Sequence, residues 1–303
     1  MGTDKFAKIL GIASFKISLF NVKLDKAVTY MLISVVGFAF MNLVVKNLKH
    51  IPATELVLFR SIVSLVLSYI MIRKRKLNPF GNNKLFLILR GVFGVTALTI
   101  FFYTLQELPI GSAITIQYLS PIFTVIFAIY ILKEKMQPIQ WLFFLIAFAG
   151  IAVIKGFDPN ITFRLLGLGI TSAIFSGLAY NCIRKLKDTE SPVVVVFYFP
   201  LVATPIMLVF SYFNFVMPIG WDWLLLLLMG ILTQIAQIYM TKAYQHSQMD
   251  KTAPLKYLGI IFAIAFDVLI FGVVYTPLAY LGIGLVIAGV VLNLLHKSIF
   301  KTI

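Results

Sequence analysis

Residues 117–123 read Gln-Tyr-Leu-Ser-Pro-Ile-Phe, and residues 256–262 repeat much of this pattern as Lys-Tyr-Leu-Gly-Ile-Ile-Phe. The separation along the chain between Gln117 and Lys256 recurs elsewhere. It relates several pairs of identical residues that are not simply apolar: Asn42 and Asn181, Lys46 and Lys185, Gly91 and Gly230, Gln106 and Gln245, and Pro138 and Pro277. Matches at one fixed period are the signature of a duplicated unit. The sequence therefore predicts a chain built from two copies of one fold.

The composition predicts a chain that lies in a lipid bilayer. Of its 303 residues, 60% are hydrophobic and only 12% are charged, whereas a soluble domain needs far more charged surface. Apolar runs of about 20 residues, long enough to cross a hydrocarbon core as helices, recur from end to end. We therefore predict an all-α membrane protein with ten transmembrane helices, at residues 27–46, 53–72, 85–106, 109–132, 137–155, 164–184, 192–212, 222–244, 251–272 and 276–296.

The positions of the basic residues predict the orientation in the membrane. Eighteen of the 26 lysines and arginines fall in the segments of one side, and the segments of the other side hold only four: Lys46, Lys49, Lys155 and Arg164. Basic residues concentrate on the cytoplasmic side of membrane proteins. Both termini are therefore expected in the cytoplasm, with the chain in the cell (inner) membrane. The net charge of +15 then reflects topology and contact with anionic lipid rather than nucleic-acid binding.

An odd number of spans in each copy means that the second copy enters the membrane upside down relative to the first. Inverted repeats of this kind are a recurring architecture of secondary transporters, whose substrate site lies near the midplane between the copies. The predicted organisation is a cytoplasmic N-terminal segment (1–26), a first repeat (27–155), a second repeat (164–296) and a cytoplasmic tail (297–303). The N-terminal segment is either an interfacial helix or a disordered tail. Glycines in the last span predict close helix packing, with a homodimer through that span as an alternative use.

The sequence lacks the residue patterns that several classes of protein require. It contains no phosphate-binding G-x-x-x-x-G-K-S/T run, so ATP is not expected as a cofactor. The single cysteine, Cys182, excludes an internal disulfide and a thiolate metal cluster. Its three histidines fall in loops or at span ends, and neither paired acids nor an H-E-x-x-H spacing occurs. No catalytic residues, metal or other cofactor are predicted.

Four basic residues lie inside the apolar spans: Arg60, Arg90, Lys242 and Lys256. A charge at this depth is costly and usually faces a cavity or a partner. For Lys242 and Lys256, and also for Arg90 about six residues into span 3, the alternative is that the long side chain reaches the membrane surface. Arg60 is deep in its span, and no acid lies at a favourable spacing on the same helix. An excess of buried cations favours an anionic or carboxylate-bearing substrate, because buried charge is tolerated when it is paired.

Polar and aromatic residues inside the spans complete a candidate substrate site. Gln117 and the symmetric pairs Asn42 with Asn181 and Tyr118 with Tyr257 offer hydrogen bonds and flat surfaces for an organic ligand. For each of them the alternative is a hydrogen bond between helices. A further acid, Asp267 in span 9, is either a proton-coupling carboxylate or half of a salt bridge.

Four prolines are candidates for bending the predicted spans. Pro121 interrupts span 4, Pro200 and Pro205 interrupt span 7, and Pro254 lies in the first turn of span 9. A proline inside a helix removes a hydrogen bond and bends the helix. These positions are either hinges for opening the two sides alternately or static kinks.

The arrangement resembles a known family. Its marks are the following: Glu55 with Phe59-Arg60-Ser61, Arg90-Gly91, Gln117-Tyr118-Leu119-Ser120-Pro121, Lys133-Glu134-Lys135 and Ala149-Gly150. Together with ten spans in two inverted copies, they are similar to the EamA repeats of the drug/metabolite transporter superfamily, in the branch of S-adenosylmethionine uptake carriers and the solute carrier 35G group. The resemblance implies that spans 1–4 and 6–9 surround a central cavity and that spans 5 and 10 lie outside it. Residues 272–276 depart from the family pattern, which commonly has a Glu before this turn.

These observations predict a secondary transporter rather than an enzyme, working by alternating access on a small polar metabolite that bears a carboxylate or other anionic group. The alternatives are an exporter of amino acids or amphipathic drug-like compounds, a passive channel, and a membrane scaffold without transport. The expected substrate-binding residues are Asn42, Arg60, Arg90, Gln117, Tyr118, Asn181, Lys256 and Tyr257, with Asp267 as the coupling candidate.

Overall fold

The computed structural model describes residues 26–133, 137–157, 161–246 and 253–299. The N-terminal segment 1–25, for which a helix or a tail was predicted, and the last four residues lie outside this range. The helices of the described part are α1 (Lys26–Asn47), α2 (Ala53–Lys74), α3 (Lys84–Glu107), α4 (Ile110–Gln117), α5 (Ser120–Ile131), α6 (Ile139–Phe157), α7 (Phe163–Lys185), α8 (Pro192–Tyr212), α9 (Asp222–His246), a 3-10 helix (Ala253–Tyr257), α10 (Leu258–Leu269) and α11 (Pro277–Ile299).

These helices confirm the predicted all-α membrane fold. Seven described stretches are long and apolar enough to cross a membrane, namely α1, α2, α3, α4 with α5, α7, α8 and the first 22 residues of α9. Shorter apolar helices occupy residues 139–155 and 277–292, within α6 and α11. The remaining predicted span, 251–272, corresponds to the 3-10 helix followed by α10. Apolar run length alone therefore located all ten segments.

The fourth span is broken in its middle, and so is its counterpart in the second repeat. Helix α4 ends at Gln117 and α5 begins at Ser120, because Pro121 has no N–H to donate to the turn before it. The chain passes the break through a tight turn in which Leu119 N donates to Ile116 O at 3.1 Å. In the second repeat the change from 3-10 to α-helix falls between Tyr257 and Leu258, at the equivalent point of the duplicated pattern.

Two of the predicted proline interruptions are not breaks. Helix α8 runs without interruption from Pro192 to Tyr212 through both Pro200 and Pro205. One carbonyl in this stretch receives a side-chain donor, since Thr204 Oγ1 donates to Pro200 O at 2.7 Å. The carbonyls that lose a helical donor are those of Val196 and Leu201, four residues before each proline, so this bond does not replace the missing ones.

The helix pairs follow the duplication. Helix α1 of the first repeat packs along α9 of the second, and the equivalent pair α7 with α3 packs in the same way. The equivalent helices α2 and α8 pack on each other, as do α6 and α11. Each repeat therefore buries its apolar faces mainly against the other, so the centre of the molecule is shared between both copies.

Glycines allow the close approach of α6 to α11. A Cβ atom added to Gly150 would lie 2.7 Å from the carbonyl oxygen of Gly282, and one added to Gly289 would lie 2.6 Å from that of Phe143. Two of the three glycines of α11, Gly282 and Gly289, are thus used inside the protomer, as the small-residue pattern predicted. A Cβ at Gly284 would meet nothing within 4 Å, so a homodimer through α11 stays a prediction.

The C-terminal ends of α1 and α3 satisfy each other's carbonyl groups. Lys46 was predicted in a loop, but it lies in the last turn of α1, and its Nζ donates to the carbonyls of Leu105, Gln106 and Leu108 at 3.2, 3.1 and 2.5 Å. In return, Gln106 Nε2 donates to the carbonyls of Leu48 and Ile51 at 3.2 and 2.8 Å. Helix ends leave carbonyls without intrahelical partners, and a cation at this position also interacts favourably with the helix dipole. We call these five hydrogen bonds the α1–α3 clasp.

Candidate functional site

A cavity of about 1040 Å³, including its opening to solvent, lies between the two repeats. Its described lining comes from spans 1–4 and 6–9, whereas α6 and α11 contribute none of the lining residues. This arrangement agrees with the one that the family resemblance implies. The polar lining residues are Ser34, Asn42, Arg60, Arg90, Gln117, Tyr118, Ser120, Ser176, Tyr180, Gln237 and Lys256.

Arg60 reaches the cavity from α2 and is almost completely buried, with 1% of its surface exposed. Its Nε donates to Thr233 Oγ1 at 3.1 Å, across the boundary between the repeats. Its guanidinium carbon lies 5.1 Å from the ring centroid of Phe199 and 5.8 Å from that of Phe102. The buried Nη1 atom has no hydrogen-bond partner among the described residues. Arg60 is thus held in place by neutral groups and keeps donor capacity for a ligand.

Arg90 approaches the same aromatic ring from α3. Its guanidinium carbon also lies 5.1 Å from the centroid of Phe199, its exposed fraction is 5%, and its buried Nε lacks a partner within the described structure. The face of an aromatic ring attracts a cation, so Phe199 stabilises both guanidinium groups. A cation over a ring still lacks the hydrogen bonds and the countercharge that a carboxylate would supply.

The described surroundings of the two arginines at the cavity lack acidic side chains. No Asp or Glu belongs to the described lining of the cavity. The one ion pair found within the described ranges joins His50 and Asp222 at 2.9 Å, and both residues lie outside the lining. An isolated buried charge is strongly disfavoured unless it is paired. Apart from tyrosine hydroxyls, the ionisable side chains of the described lining are therefore all basic.

Gln117 is oriented by α7. Its Oε1 accepts a hydrogen bond from Ser172 Oγ at 2.8 Å, and its Nε2 donates to Ser176 Oγ at 2.7 Å. Each atom of the amide retains capacity for one more hydrogen bond. Gln117 therefore lies at the cavity in a fixed orientation, directly before the break in span 4.

The aromatic end of the cavity lies around the two breaks. Tyr118 OH donates to the carbonyl of Lys256 at 2.5 Å, and the rings of Tyr118 and Tyr257 stand edge to face with centroids 4.9 Å apart. Lys256 Nζ donates to Tyr180 OH at 3.3 Å and lies 4.5 Å from the centroid of that ring. Of these residues, Tyr257 is absent from the described lining of the cavity, and its ring packs against that of Tyr118.

The symmetric asparagines occupy different environments. Asn42 lines the cavity, and its Oδ1 has no hydrogen-bond partner within the described part of the chain. Asn181 is fully buried outside the lining, and its Nδ2 donates to the carbonyls of Thr124 and Gly177 at 2.9 and 3.0 Å. The structure thus places Asn42 at the cavity and Asn181 in the contact between α7 and α5.

Asp267 also lies away from the cavity. Its Oδ1 accepts the N–H of Ile110 at 2.9 Å, and its Oδ2 accepts the N–H of Gly111 at 2.7 Å and the hydroxyl of Tyr275 at 2.5 Å. A carboxylate at the N-terminal end of a helix satisfies free N–H groups there and interacts favourably with the helix dipole. Among the described residues, Asp267 has no basic side chain within hydrogen-bond reach, as a salt bridge would require, and it does not contact the cavity. Its hydrogen bonds give it a helix-capping role.

Phe199 and Thr233 are among the residues of the site that the sequence did not indicate. Phe199 is one of many aromatic residues in apolar spans, and nothing in its neighbours distinguishes it, although it matches Phe59 of the first repeat with one inserted residue. Thr233 carries the acceptor for Arg60, but a hydroxyl in a membrane helix is usually bonded to its own backbone. The role of Thr233 as the acceptor for Arg60 is visible only in the contact between α2 and α9.

Comparison with known proteins identifies the family. The model of the EamA-like transporter family matches residues 25–156 and again residues 164–295. The pseudopaline exporter of Pseudomonas aeruginosa is 29% identical over 228 residues, covering 74% of this chain and 80% of the relative. Solute carrier family 35 member G1 of Homo sapiens is 29% identical over 265 residues, covering 82% and 73%. The S-adenosylmethionine uptake transporter of Rickettsia prowazekii is 26% identical over 182 residues, covering 57% and 59%.

The fold has a solved counterpart as well. One crystal structure superposes with a TM-score of 0.65 over 90% of this chain and 98% of that chain, at 16% sequence identity, which is a likeness of fold alone. The double match of the family model covers both predicted repeats, and the family and the named relatives are transporters rather than enzymes. The chain therefore belongs to the EamA-like transporter family, as a multi-pass membrane transporter of the drug/metabolite superfamily.

Proposed function

We propose that this transporter moves a small organic anion, one that bears a carboxylate or an equivalent acidic group, by alternating access. The observation that carries the proposal is the pair of buried guanidinium groups at a cavity whose described lining contains no acid. Charged groups inside a membrane protein mark substrate pathways when they face a cavity and lack a partner. An acidic group supplies the countercharge and the hydrogen-bond acceptors that a buried arginine lacks.

In this proposal the predicted residues at the cavity have the following parts. Arg60 and Arg90 bind the acidic group, and Gln117 and Asn42 hydrogen-bond the polar remainder of the ligand. Tyr118 lines the path next to the break in span 4, and Lys256 adds a third positive charge at the aromatic end. Two predicted site residues act indirectly: Tyr257 supports Tyr118, and Asn181 holds α7 against α5.

The relatives support a metabolite carrier without fixing a direction. One is named an exporter and another an uptake transporter. The charge distribution of the loops supports an inner-membrane orientation with both termini in the cytoplasm. The duplicated, inverted architecture supports alternating access, because each face of the molecule is built from equivalent helices.

Flux through the purified full chain in liposomes tests the proposal. Uptake of radiolabelled mono- and dicarboxylates and of amino acids should saturate with concentration for at least one acid, whereas a passive channel would show flux proportional to the gradient. Arg60→Gln should lower that uptake by about tenfold or more, since a hydrogen bond to a charged group contributes about 1.5–3 kcal/mol. Arg60→Lys should retain part of the flux unless a two-pronged contact is required.

The same substitution at an exposed arginine is the control. Arg164 lies at the start of α7 with an exposed side chain, so Arg164→Gln should leave flux unchanged. Wild-type flux in Arg60→Gln would remove Arg60 from the site. Equal loss of flux in both variants would point to a general effect of lost positive charge.

A further inference from the structure

The two arginines are separate positive charges that share one aromatic ring. Each guanidinium carbon lies 5.1 Å from the centroid of Phe199. The two carbons are therefore separated by no more than twice that distance. Like charges so close together in a buried site repel each other, and the ring between them offers attraction but no negative charge. Their combined charge has to be balanced from the cavity.

Hydrogen bonds to neutral groups do not balance the charge of the two arginines. The partner of Arg60 is a threonine hydroxyl, and the donor atoms Arg60 Nη1 and Arg90 Nε are buried without a partner among the residues that the structure describes. These are the orphaned donors of two different side chains, one on α2 and one on α3. A ligand with a single negative charge neutralises one arginine and leaves the other unpaired, which is the costly state for a buried charge.

Lys256 does not change the negative charge that the two arginines require. It is only half-buried, it donates to Tyr180 OH and it lies over the ring of that residue. A long side chain with access to solvent keeps its charge hydrated. The demand for negative charge is thus greatest at the arginine pair, where exposure is 1% and 5%.

We infer that the substrate is a dianion, with two acidic groups that pair with Arg60 and Arg90 on a short connecting chain. The inference rests on the proposed anion transport and narrows its substrate class. The span between the acidic groups is limited because both guanidinium carbons lie 5.1 Å from the same ring centroid. Phe199 is the positioning residue that sets this spacing, because it contacts both guanidinium groups. Carboxylates and phosphate esters share the required chemistry, since both accept two parallel hydrogen bonds from a guanidinium group.

Ligand-induced stabilisation of the purified full chain in detergent tests the inference. Straight-chain dicarboxylates from malonate to suberate are compared with monocarboxylates of the same carbon number, at constant ionic strength, and dissociation constants are taken from the shift of the unfolding temperature. We expect dicarboxylates to bind at least about tenfold more tightly, the effect of one additional charged hydrogen-bond pair. We also expect one chain length to be preferred, because the two arginines are fixed. A phosphomonoester of matched length, glycerol 3-phosphate, distinguishes two carboxylates from one doubly charged phosphate.

Single substitutions show whether both arginines are used. Arg60→Gln and Arg90→Gln should each lower dicarboxylate affinity to that of the monocarboxylate, while monocarboxylate affinity changes little because the other arginine remains. Arg90→Lys, which keeps the charge, should retain a dicarboxylate preference, and Arg164→Gln should match the wild type. The unfolding temperature without ligand identifies any variant that fails to fold.

The outcomes separate this inference from the broader proposal. Equal affinity for monocarboxylates and dicarboxylates would overturn the dianion and leave anion transport standing. A dicarboxylate preference that persists in Arg60→Gln and Arg90→Gln would overturn the assignment of the two acidic groups. Absence of binding by every acid tested would overturn both.

Discussion

At the scale of single residues, Asp267 shows how this fold keeps a buried carboxylate without a countercharge in hydrogen-bond contact. Three donors, two backbone N–H groups and the hydroxyl of Tyr275, point at its two oxygens. Arg60 and Arg90 are in the opposite situation, since buried donor atoms of both remain open. The satisfied charge lies at a helix end, and the unsatisfied charges lie at the cavity. This contrast separates a structural ionisable group from the groups that we assign to the substrate.

Asp267→Asn tests the structural role. The amide nitrogen of Asn cannot accept a hydrogen bond, so at least one of the three donors loses its acceptor. We expect the free energy of unfolding to fall by about 1–3 kcal/mol, the cost of leaving one buried group unsatisfied, as measured by thermal denaturation in detergent. Asp188→Asn, at an exposed turn, is the control and should change stability little. A variant with unchanged stability and a lost pH dependence of transport would instead support the coupling role.

The sequence indicated the charged residues of the cavity and several of its polar residues, but not the neutral groups that hold the two arginines in place. A guanidinium group inside an apolar span is conspicuous, which is why Arg60 and Arg90 were predicted to face a cavity. Phe199 was not predicted, because a phenylalanine in a membrane helix is ordinary until its contacts are known. Asn181 was expected at the cavity from symmetry with Asn42. Equal positions in the sequence need not be in equal environments when the two repeats adopt different arrangements.

At the scale of helices, the α1–α3 clasp joins two ends that come from different parts of the first repeat. The carbonyls at a helix end within the membrane require donors, and Lys46 supplies three of them. Its equivalent in the second repeat, Lys185, is exposed at the end of α7 and makes no such contact in the described structure. The same residue type therefore has two different environments at the two ends of the molecule.

Lys46→Met should loosen this end of the molecule. Methionine keeps the length of the side chain and removes all three donors, so the last turn of α3 and the start of α4 should exchange backbone hydrogens faster. Hydrogen–deuterium exchange of peptides covering residues 100–113 measures the effect. Lys185→Met is the matched control and should leave exchange unchanged throughout α7. Unchanged exchange in Lys46→Met would mean that the clasp does not hold the two helices together.

The helices themselves were largely predictable, because apolar run length is a strong signal in a membrane protein. Pro121 also predicted the break in span 4. In span 9 the sequence indicated a hinge or kink at Pro254, and a 3-10 helix (Ala253–Tyr257) contains this residue. The change to α-helix at Leu258 was not expected, since residues 258–262 contain no proline. Pro200 and Pro205 are the reverse case: the sequence indicated an interruption, and the packed helix α8 continues through both.

At the scale of the whole molecule, inversion of the repeats predicts that equivalent loops face opposite sides of the membrane. Cysteines placed at Lys76 and Asn214, in the loops after α2 and α8, test this in a Cys182→Ser background. We expect the cysteine at residue 214 to react with an impermeant maleimide in intact cells, and that at residue 76 to react only after permeabilisation. Both side chains are exposed, so a difference in reactivity reports the side of the membrane. Labelling of both from the same side would contradict the inverted architecture.

The difference between the two ends of the molecule has a consequence for the relative free energies of the states that open to each face of the membrane. Lys46 and Gln106 have identical counterparts in the second repeat, Lys185 and Gln245, whereas the position equivalent to Asp267 is Ala128. A set of hydrogen bonds like the α1–α3 clasp is thus possible at both ends. Both ends also have a carboxylate that accepts backbone N–H groups across the repeats: Asp267 accepts those of Ile110 and Gly111, and Glu190 accepts those of Asn82 and Asn83. Because Lys46 forms the α1–α3 clasp at one end whereas Lys185 is exposed at the other, we expect an unequal two-state equilibrium, in which the unloaded carrier is mainly closed at the end that holds the clasp.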